Sequence, residues 1–435
     1  FRYRNMHCLL RKINFPLLGF KTIVSCKFLQ SALLCLLLFL LILRMNRGNF
    51  NIRNKIKSDR PLLLWWTSNF PSTSMTLNCT KYNVICEEIN ARVMNRDYEI
   101  NAYLFYGSRI DYMDLPLPRL PNVLWGLIHE ESPKNNMELN HELVLNLFNF
   151  SSTFSRFSDA PFPLMYLESL TNVTSKKYFV VTSKKNEYSK EIAPIMYLHS
   201  DCDTTTERDA YVSELMKFIP VDSYGDCLRN KKMPEQLNLD YLNNLFKEDL
   251  LMFMSRYKFV LAFENGICHD YVTEKFWRPI IIGSVPIYFG SPTIRDWFPN
   301  NKSAILLEDY PTPKLLSEHI KILQENDSLY EEYLSHKIEG VVTNSRLISE
   351  TNKMESDKGC IVLESVKTLS CLVCKKAHDI LKGDKSVNMV TKSHYDCPMP
   401  VQALTLNSTP GSFWVRQWFV AKENAEHIYK TLTGN

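Results

Sequence analysis

Glycine is scarce in this 435-residue chain, with 13 residues in all, and that excludes a collagen-like or low-complexity protein. With 45% hydrophobic and 23% charged residues the composition excludes a largely disordered chain and permits a sizeable core. Acidic residues are nearly absent from the first 60 positions, where 12 Lys/Arg face only Asp59. Beyond them 39 basic residues meet 46 acidic ones, so the formal +4 of the whole chain belongs to its N-terminus. A globally basic nucleic-acid binder is disfavoured, and any anionic ligand must be held by a local cluster of cations. No internal repeat is apparent, and the length calls for two domains plus extras.

What is present begins with a run from Phe28 to Leu43 in which only Gln30 and Ser31 are polar. As a helix it spans roughly 24 Å, close to the roughly 27 Å of an endoplasmic reticulum bilayer. A cleaved signal peptide is the alternative, but Arg44-Met45-Asn46-Arg47 lacks a small-x-small cleavage site, which favours an uncleaved anchor. Arg2, Arg4, Arg11, Lys12, Lys21 and Lys27 precede the run and put residues 1–27 in the cytosol. The chain opens on Phe1, and Met6 is a candidate initiator. Six Asn-x-Ser/Thr sequons, at Asn78, Asn149, Asn172, Asn301, Asn326 and Asn407, all follow the anchor and support a secretory-pathway lumen. Nine of the 12 cysteines do the same, and an odd number leaves at least one unpaired within the chain.

Residues 44–60 read as a polar, basic stem. Strand-like runs then appear at Leu62 to Trp66, Ala102 to Tyr106 and Val123 to Ile128, with candidate helices between them. A second set follows the charged stretch Lys184 to Glu191: strands at Ile195 to Leu198, Phe259 to Phe263, Val285 to Tyr288 and Ala304 to Leu307, helices at Asp209 to Phe218, Glu248 to Ser255 and Leu315 to Gln324. This alternation predicts two α/β halves with a cleft between them, at 61–189 and 190–350. From Thr351 the chain turns polar and cysteine-containing, ending in a helix-like run near Phe413 to Leu432.

One block carries most of the chemistry. A strand ending at Phe263 delivers Asn265 to the carboxyl edge of a sheet, where open α/β folds bind ligands. Thr273 to Trp277 then read as the first turn of a helix whose free N–H groups face the same crevice, with Lys275 suited to a phosphate and Glu274 to a hydroxyl. Spacing alone equally allows Thr273 as a simple cap and Lys275 as a solvated cation.

Phe263-Glu264-Asn265, Tyr271 to Lys275 and Gly283-Ser284-Val285-Pro286-Ile287-Tyr288-Phe289-Gly290 together resemble the signature of the animal and bacterial α-1,3-fucosyltransferases. Glu131-Ser132-Pro133, and the stretch from Ser200 through Arg208 to Gly225, extend the resemblance over roughly residues 61 to 345. Trp277-Arg278-Pro279, Gly290 to Trp297 and Pro299-Asn300-Asn301 look most like the divergent animal subgroup numbered ten and eleven, associated with O-fucosylation of protein Ser/Thr. The resemblance implies a two-Rossmann, GT-B glycosyltransferase using GDP-fucose with inversion and without a metal, here placed behind the N-terminal transmembrane helix read from the apolar run. It also implies residence in the endoplasmic reticulum membrane, with the Golgi as alternative, and an acceptor that is a glycoprotein or folded cysteine-rich domain. Matched residue by residue, Glu131 is the general base, Arg208 and Lys275 neutralise the diphosphate, and Asn265, Tyr271 and Glu274 contact the donor. Glu131 is preferred to the adjacent Glu130 on motif register alone.

The alternatives are transfer to O3 of N-acetylglucosamine in an N-glycan, and an inactive, membrane-tethered folding or glycan-binding relative. Asp201-Cys202-Asp203 has the Asp-x-Asp form of a metal-binding glycosyltransferase, but falls within a segment matched to metal-independent enzymes. Cys371-Leu372-Val373-Cys374 could be a redox or zinc pair, although a lumenal setting favours disulfides. By resemblance these two pair with the N-terminal half, with Cys79 and Cys86 as candidates; Cys202 with Cys227 is a further candidate pair. His129, at the end of an apolar strand, reads as structural or acceptor-side.

Overall fold

The computed structural model describes residues 55–67, 75–90, 92, 94–237, 245–355 and 361–434. The expected tail, the anchor at 28–43, most of the stem and Cys360 lie outside these residues. Among the described residues no helix is long and apolar enough to cross a membrane. The end of the expected stem belongs to the folded body: Ile56 forms a parallel bridge with Tyr98, and its N–H donates to the Asp97 carbonyl at 2.7 Å.

Apolar runs form the centres of both sheets, because strands covered on both faces by helices have no solvent side to keep polar. The first sheet contains β1 (Leu62–Trp65), β2 (Met75–Cys79), β3 (Val84–Ile89), β4 (Ala102–Tyr106), β5 (Leu124–His129) and β6 (Phe150–Thr153). Its order is β2-β3-β1-β4-β5-β6, and all pairs are parallel except β2 with β3. The second contains β7 (Ile195–Tyr197), β8 (Val221–Ser223), β9 (Phe259–Phe263), β10 (Val285–Phe289) and β11 (Ile305–Leu306), in the all-parallel order β8-β7-β9-β10-β11. With edge strand β2 set aside, the two sheets share one order: second strand, first, third, fourth, fifth. Such sheets reverse direction between first and third strands, here β1/β4 and β7/β9, and bind ligands outside the carboxyl ends at that point.

The second half takes its sheet and covering helices from one stretch of sequence, with Ala403 of the C-terminal extension also buried in its core. It begins before the expected boundary at 190: helix α1 (Thr182–Tyr188) precedes its first strand and bonds to the rest of the half through Lys185, and α2 (Arg208–Leu215), α3 (Glu248–Met254), α4 (Glu274–Ile282) and α5 (Pro313–Glu325) follow. The fully buried Lys185 of α1 donates to the carbonyls of Tyr257 and Gly283 and to the Ser284 hydroxyl at 2.8 to 2.9 Å, and burial drives its pKa well below the usual lysine range.

The first half borrows its cover. Helix α6 (Ile361–Leu381) returns from the far end of the chain to pack against β2, β3, β5 and β6. Its buried Leu369, Ser370, Val373, Cys374 and Ala377 form one helical stripe. Part of the polar, cysteine-containing extension after Thr351 is thus a structural layer of the first half. Disulfides Cys79–Cys371 and Cys86–Cys374 fasten it, as the resemblance implied, and Cys202–Cys227 also forms. A fourth bond, Cys268–Cys397, had no counterpart in the expectations. The last helix, α7 (Phe413–Thr433), packs on residues 137–145 with Ser412 as its N-cap.

Five of the six sequon asparagines are exposed or half-buried. Asn149 is buried and fully used: its Oδ1 accepts from Trp125 N at 2.8 Å and Arg119 Nη2 at 2.9 Å, and its Nδ2 donates to the Asn388 carbonyl at 2.9 Å.

Candidate active site

Every residue of β9 is buried, and the strand is followed by the fully buried Glu264 and the half-buried Asn265 at the carboxyl edge of the sheet. The Glu264 carboxylate accepts both the backbone N–H and the hydroxyl of Thr273 at 2.8 Å. Thr273 in turn caps α4, accepting from Lys275 N at 3.3 Å, and Gly283 closes the other end with φ of 69°. This relay fixes the electropositive end of α4 beside the end of β9. Burial pushes the Glu264 pKa up, and the neighbouring Lys275 only partly offsets it.

Lys275 Nζ lies 3.3 Å from Glu274, 3.5 Å from Glu264 and 3.1 Å from the Thr273 hydroxyl. Burial opposes ionisation of Glu274, yet Lys275 and then Arg278 hold its carboxyl below the usual range. It is therefore an anion able to accept from hydroxyls. Arg208 opens α2 and is 1% exposed. Its Nη1 donates to the Phe263 carbonyl at 2.7 Å and its Nη2 to the Asp201 carbonyl at 2.6 Å, while its buried Nε has no partner among the described residues. The guanidinium is thus a fixed charge beneath the crevice that also joins the loop after β7 to the end of β9. Thr205 and Thr206 tie the same two loops, donating to the carbonyls of Asn265 and Glu264.

The first half contributes the loop after β5. Glu131 Oε2 accepts from the Tyr271 hydroxyl at 3.4 Å, and that hydroxyl also lies 3.1 Å from Asn265 Oδ1. Burial, reinforced by the Glu131 charge, raises the Tyr271 pKa well above its ordinary value, so this hydroxyl stays a donor. Glu130 turns the other way and accepts from the Tyr106 hydroxyl at 2.6 Å; burial raises its pKa. Of the two adjacent carboxylates only Glu131 hydrogen-bonds to the second half among the described residues, at Tyr271. The approach is close: a Cβ on Gly266 would lie 2.8 Å from the Ser132 Cβ, so this position joins the loops only as glycine.

His129 is fully buried, its Nε2 3.0 Å from the Ser108 hydroxyl, and burial lowers its pKa to about 3. It is a neutral packing residue, the structural one of its two readings. Asp201 pairs with Lys134 and Asp203 accepts from Trp414 Nε1 at 3.0 Å, so the two acids of the Asp-x-Asp are committed to different partners. The clusters Cys86/Cys374/His378 and Cys202/Asp209/Cys227 each contain a disulfide and offer no thiolate to a metal. Sequence reasoning missed the fastening between halves: Arg156, after β6, grips the buried Asp270 through Nε at 2.8 Å and reaches Asp296 at 2.8 Å. It also missed Tyr395, whose hydroxyl donates to the Glu131 carbonyl at 2.8 Å.

Two parallel α/β halves meeting at their ligand-binding edges, a carboxylate on one side and cations beside a helix N-terminus on the other, define the two-Rossmann glycosyltransferase class. Within it the chain belongs to glycosyltransferase family 10, the fucosyltransferases: residues 58–165 match "Fucosyltransferase, N-terminal" and 187–393 match "Glycosyltransferase family 10 (fucosyltransferase) C-term". It is 42% identical over 359 residues to alpha-(1,3)-fucosyltransferase B of Drosophila melanogaster, covering 80% of this chain and 78% of that one. It is 38% identical over 392 residues to GDP-fucose protein O-fucosyltransferase 3 of Homo sapiens, covering 87% and 81%. A solved alpha1,3-fucosyltransferase with GDP-fucose aligns over 71% of this chain and 93% of its own at 15% identity and a TM-score of 0.39, too distant a likeness to locate a ligand.

Proposed function

We propose that this enzyme transfers fucose from GDP-fucose, with inversion, to a Ser or Thr hydroxyl of a folded, cysteine-rich secretory-pathway domain. The observation that carries the reading is the meeting of Glu131, from the first half, with Tyr271, from the second, whose hydroxyl also reaches Asn265, while Glu130 faces away. An acceptor hydroxyl at Glu131 gives up its proton to that carboxylate as its oxygen attacks the anomeric carbon; the bond to the diphosphate breaks on the opposite face, and the configuration inverts. General-base help of this kind contributes about 10²- to 10⁴-fold. GDP departs with increased negative charge, which Lys275, the N-terminus of α4 and the buried Arg208 stabilise. These fixed cations do the work of a metal, so none is required. Glu274 accepts from donor hydroxyls, with Asn265 and Tyr271 ordering the sugar side.

The protein acceptor is favoured by the names of the relatives called protein O-fucosyltransferase 3. A second reading, transfer to O3 of N-acetylglucosamine in an N-glycan, is favoured by the name of the Drosophila relative. An inactive relative has no chemical need for this converging set. We also propose that Phe28–Leu43 anchors the enzyme in the endoplasmic reticulum or Golgi membrane with its body in the lumen; four disulfides fit that oxidising compartment. The test is incubation with labelled GDP-fucose, in chelator, against folded cysteine-rich domains and N-glycans. Label on a protein hydroxyl is expected. Label on glycan alone moves the enzyme to the second reading, and activity restored only by a divalent ion ends the metal-free mechanism.

A further inference from the structure

We propose that Tyr395 is a positioning residue for the base, and that the Cys268–Cys397 disulfide holds the strap carrying it to the donor loop. The proposal rests on Glu131 being the base. Glu131 is gripped at two points. Its carboxylate receives the Tyr271 hydroxyl at 3.4 Å, and its main-chain carbonyl receives the Tyr395 hydroxyl at 2.8 Å. Between these tyrosines stands Phe154, with ring centroids 5.0 Å from Tyr271 and 5.1 Å from Tyr395. The contacts close a ring: Glu131 side chain, Tyr271, Phe154, Tyr395, Glu131 backbone. Tyr395 also lies on the buried His129 ring at 5.3 Å, so the strand end leading into Glu131 is covered by the same side chain.

The strap is fastened on both sides of Tyr395. Before it, the His394 carbonyl accepts from Thr153 Oγ1 at 2.5 Å and His394 Nδ1 lies 2.9 Å from the Ser151 hydroxyl, tying it to β6. After it, Asp396 accepts His269 N–H at 2.8 Å on its carbonyl and pairs with the His269 ring at 2.8 Å, and Cys397 is bonded to Cys268. Cys268 lies three residues before Tyr271. The segment 394–397 therefore spans from the sheet that carries the base to the loop that carries the donor contact, and its one hydroxyl aimed at the catalytic loop is that of Tyr395. A group that orients a reacting carboxylate acts on the chemical step, because small displacements of the base cost far more in the transition state than in the ground state.

The test is a double-mutant cycle on the full-length chain. Tyr395→Phe keeps the ring stack and removes only the hydroxyl; it is expected to lower kcat about 10-fold and to leave GDP affinity within about twofold. In a Glu131→Gln background the same change is expected to cost nothing further, since the group it positions is gone. Cys268→Ser with Cys397→Ser, should it fold, is expected to reproduce the kcat loss. Unchanged kcat in Tyr395→Phe, an equal fall in kcat and GDP affinity, or an undiminished cost in the Glu131→Gln background would each overturn the proposal. Near-normal activity of Glu131→Gln alone would instead remove the base assignment on which it rests.

Discussion

The two halves of the molecule share one strand order but not one way of being completed. The second half draws its sheet and covering helices from one stretch of sequence, adds residues around Ala403 to its core, and is locked by Lys185, which satisfies two buried carbonyls and a hydroxyl. The first half has the same parallel core, yet takes its covering helix from residues 361–381 and is stapled to it by two disulfides. In the proposed mechanism the halves also divide the chemistry: the first offers Glu131, the second the residues proposed to contact the donor. The contrast is one of degree: the second half adds a few extension residues to its core, whereas the first takes a whole covering helix and two disulfides from the extension.

The sharpest break of that comparison is Glu131→Gln. It is expected to lower kcat by about 10²- to 10⁴-fold while GDP binding by calorimetry is kept; loss of binding instead would mean that the carboxylate belongs to the donor site. Next is removal of the staples. Cys371→Ala with Cys374→Ala is expected to cost about 2–5 kcal/mol per bond and to expose the first half selectively, so that limited proteolysis cuts within residues 61–160 before it cuts the second half. Uniform cleavage would show the halves to be equally dependent on α6.

Lys275→Ala comes third. Losing a charge-assisted contact of about 1.5–3 kcal/mol should weaken GDP by roughly 10- to 100-fold, with the remaining turnover at saturating donor reduced less than in Glu131→Gln. The smallest effect is acid sensitivity. The buried His129 and His336 have pKa values lowered by burial to about 3, so below about 6.5 the unfolded chain binds protons that the folded one does not. Stability is full above that pH and falls as pH drops, by about 1.4 kcal/mol per unit for each group. Denaturant midpoints at pH 7 and 5.5 measure this, and His336→Gln, which removes the buried ring lying 3.1 Å from the Ile280 carbonyl of α4, should flatten the loss.

Much of this fold is legible in the sequence itself. Leu62–Trp65, Ala102–Tyr106 and Phe259–Phe263 are apolar runs, and parallel strands buried on both faces are written that way. Strand β3 is not, because its Glu87-Glu88 pair reads as surface; in the fold Glu88 is buried against the Trp65 indole and the Ser370 hydroxyl. Strand β6 hides likewise, since Ser151, Ser152 and Thr153 are buried polar groups whose partners lie elsewhere in the chain. Helix α6 does carry a signal in Val366, Leu369, Val373, Ala377 and Ile380, spaced three or four apart, which the intervening lysines obscure. At the site, Asn265, Thr273, Glu274 and Lys275 are local in sequence and readable together. Tyr395, Arg156 and the Cys268–Cys397 bond act over more than a hundred residues, and no spacing rule reaches that far.

The return of α6 sets an order of events during synthesis. The first half leaves the ribosome first and is finished last, because Cys79 and Cys86 must wait for partners 292 and 288 residues downstream. At about 5–20 residues per second that wait is roughly 15–60 s, during which the second half can already have closed. A chain stopped near residue 350 would contain Glu131 and every residue proposed to contact the donor, yet leave β2, β3, β5 and β6 bare where the helix should lie. Early termination there should therefore yield a client for chaperones and not a slower enzyme.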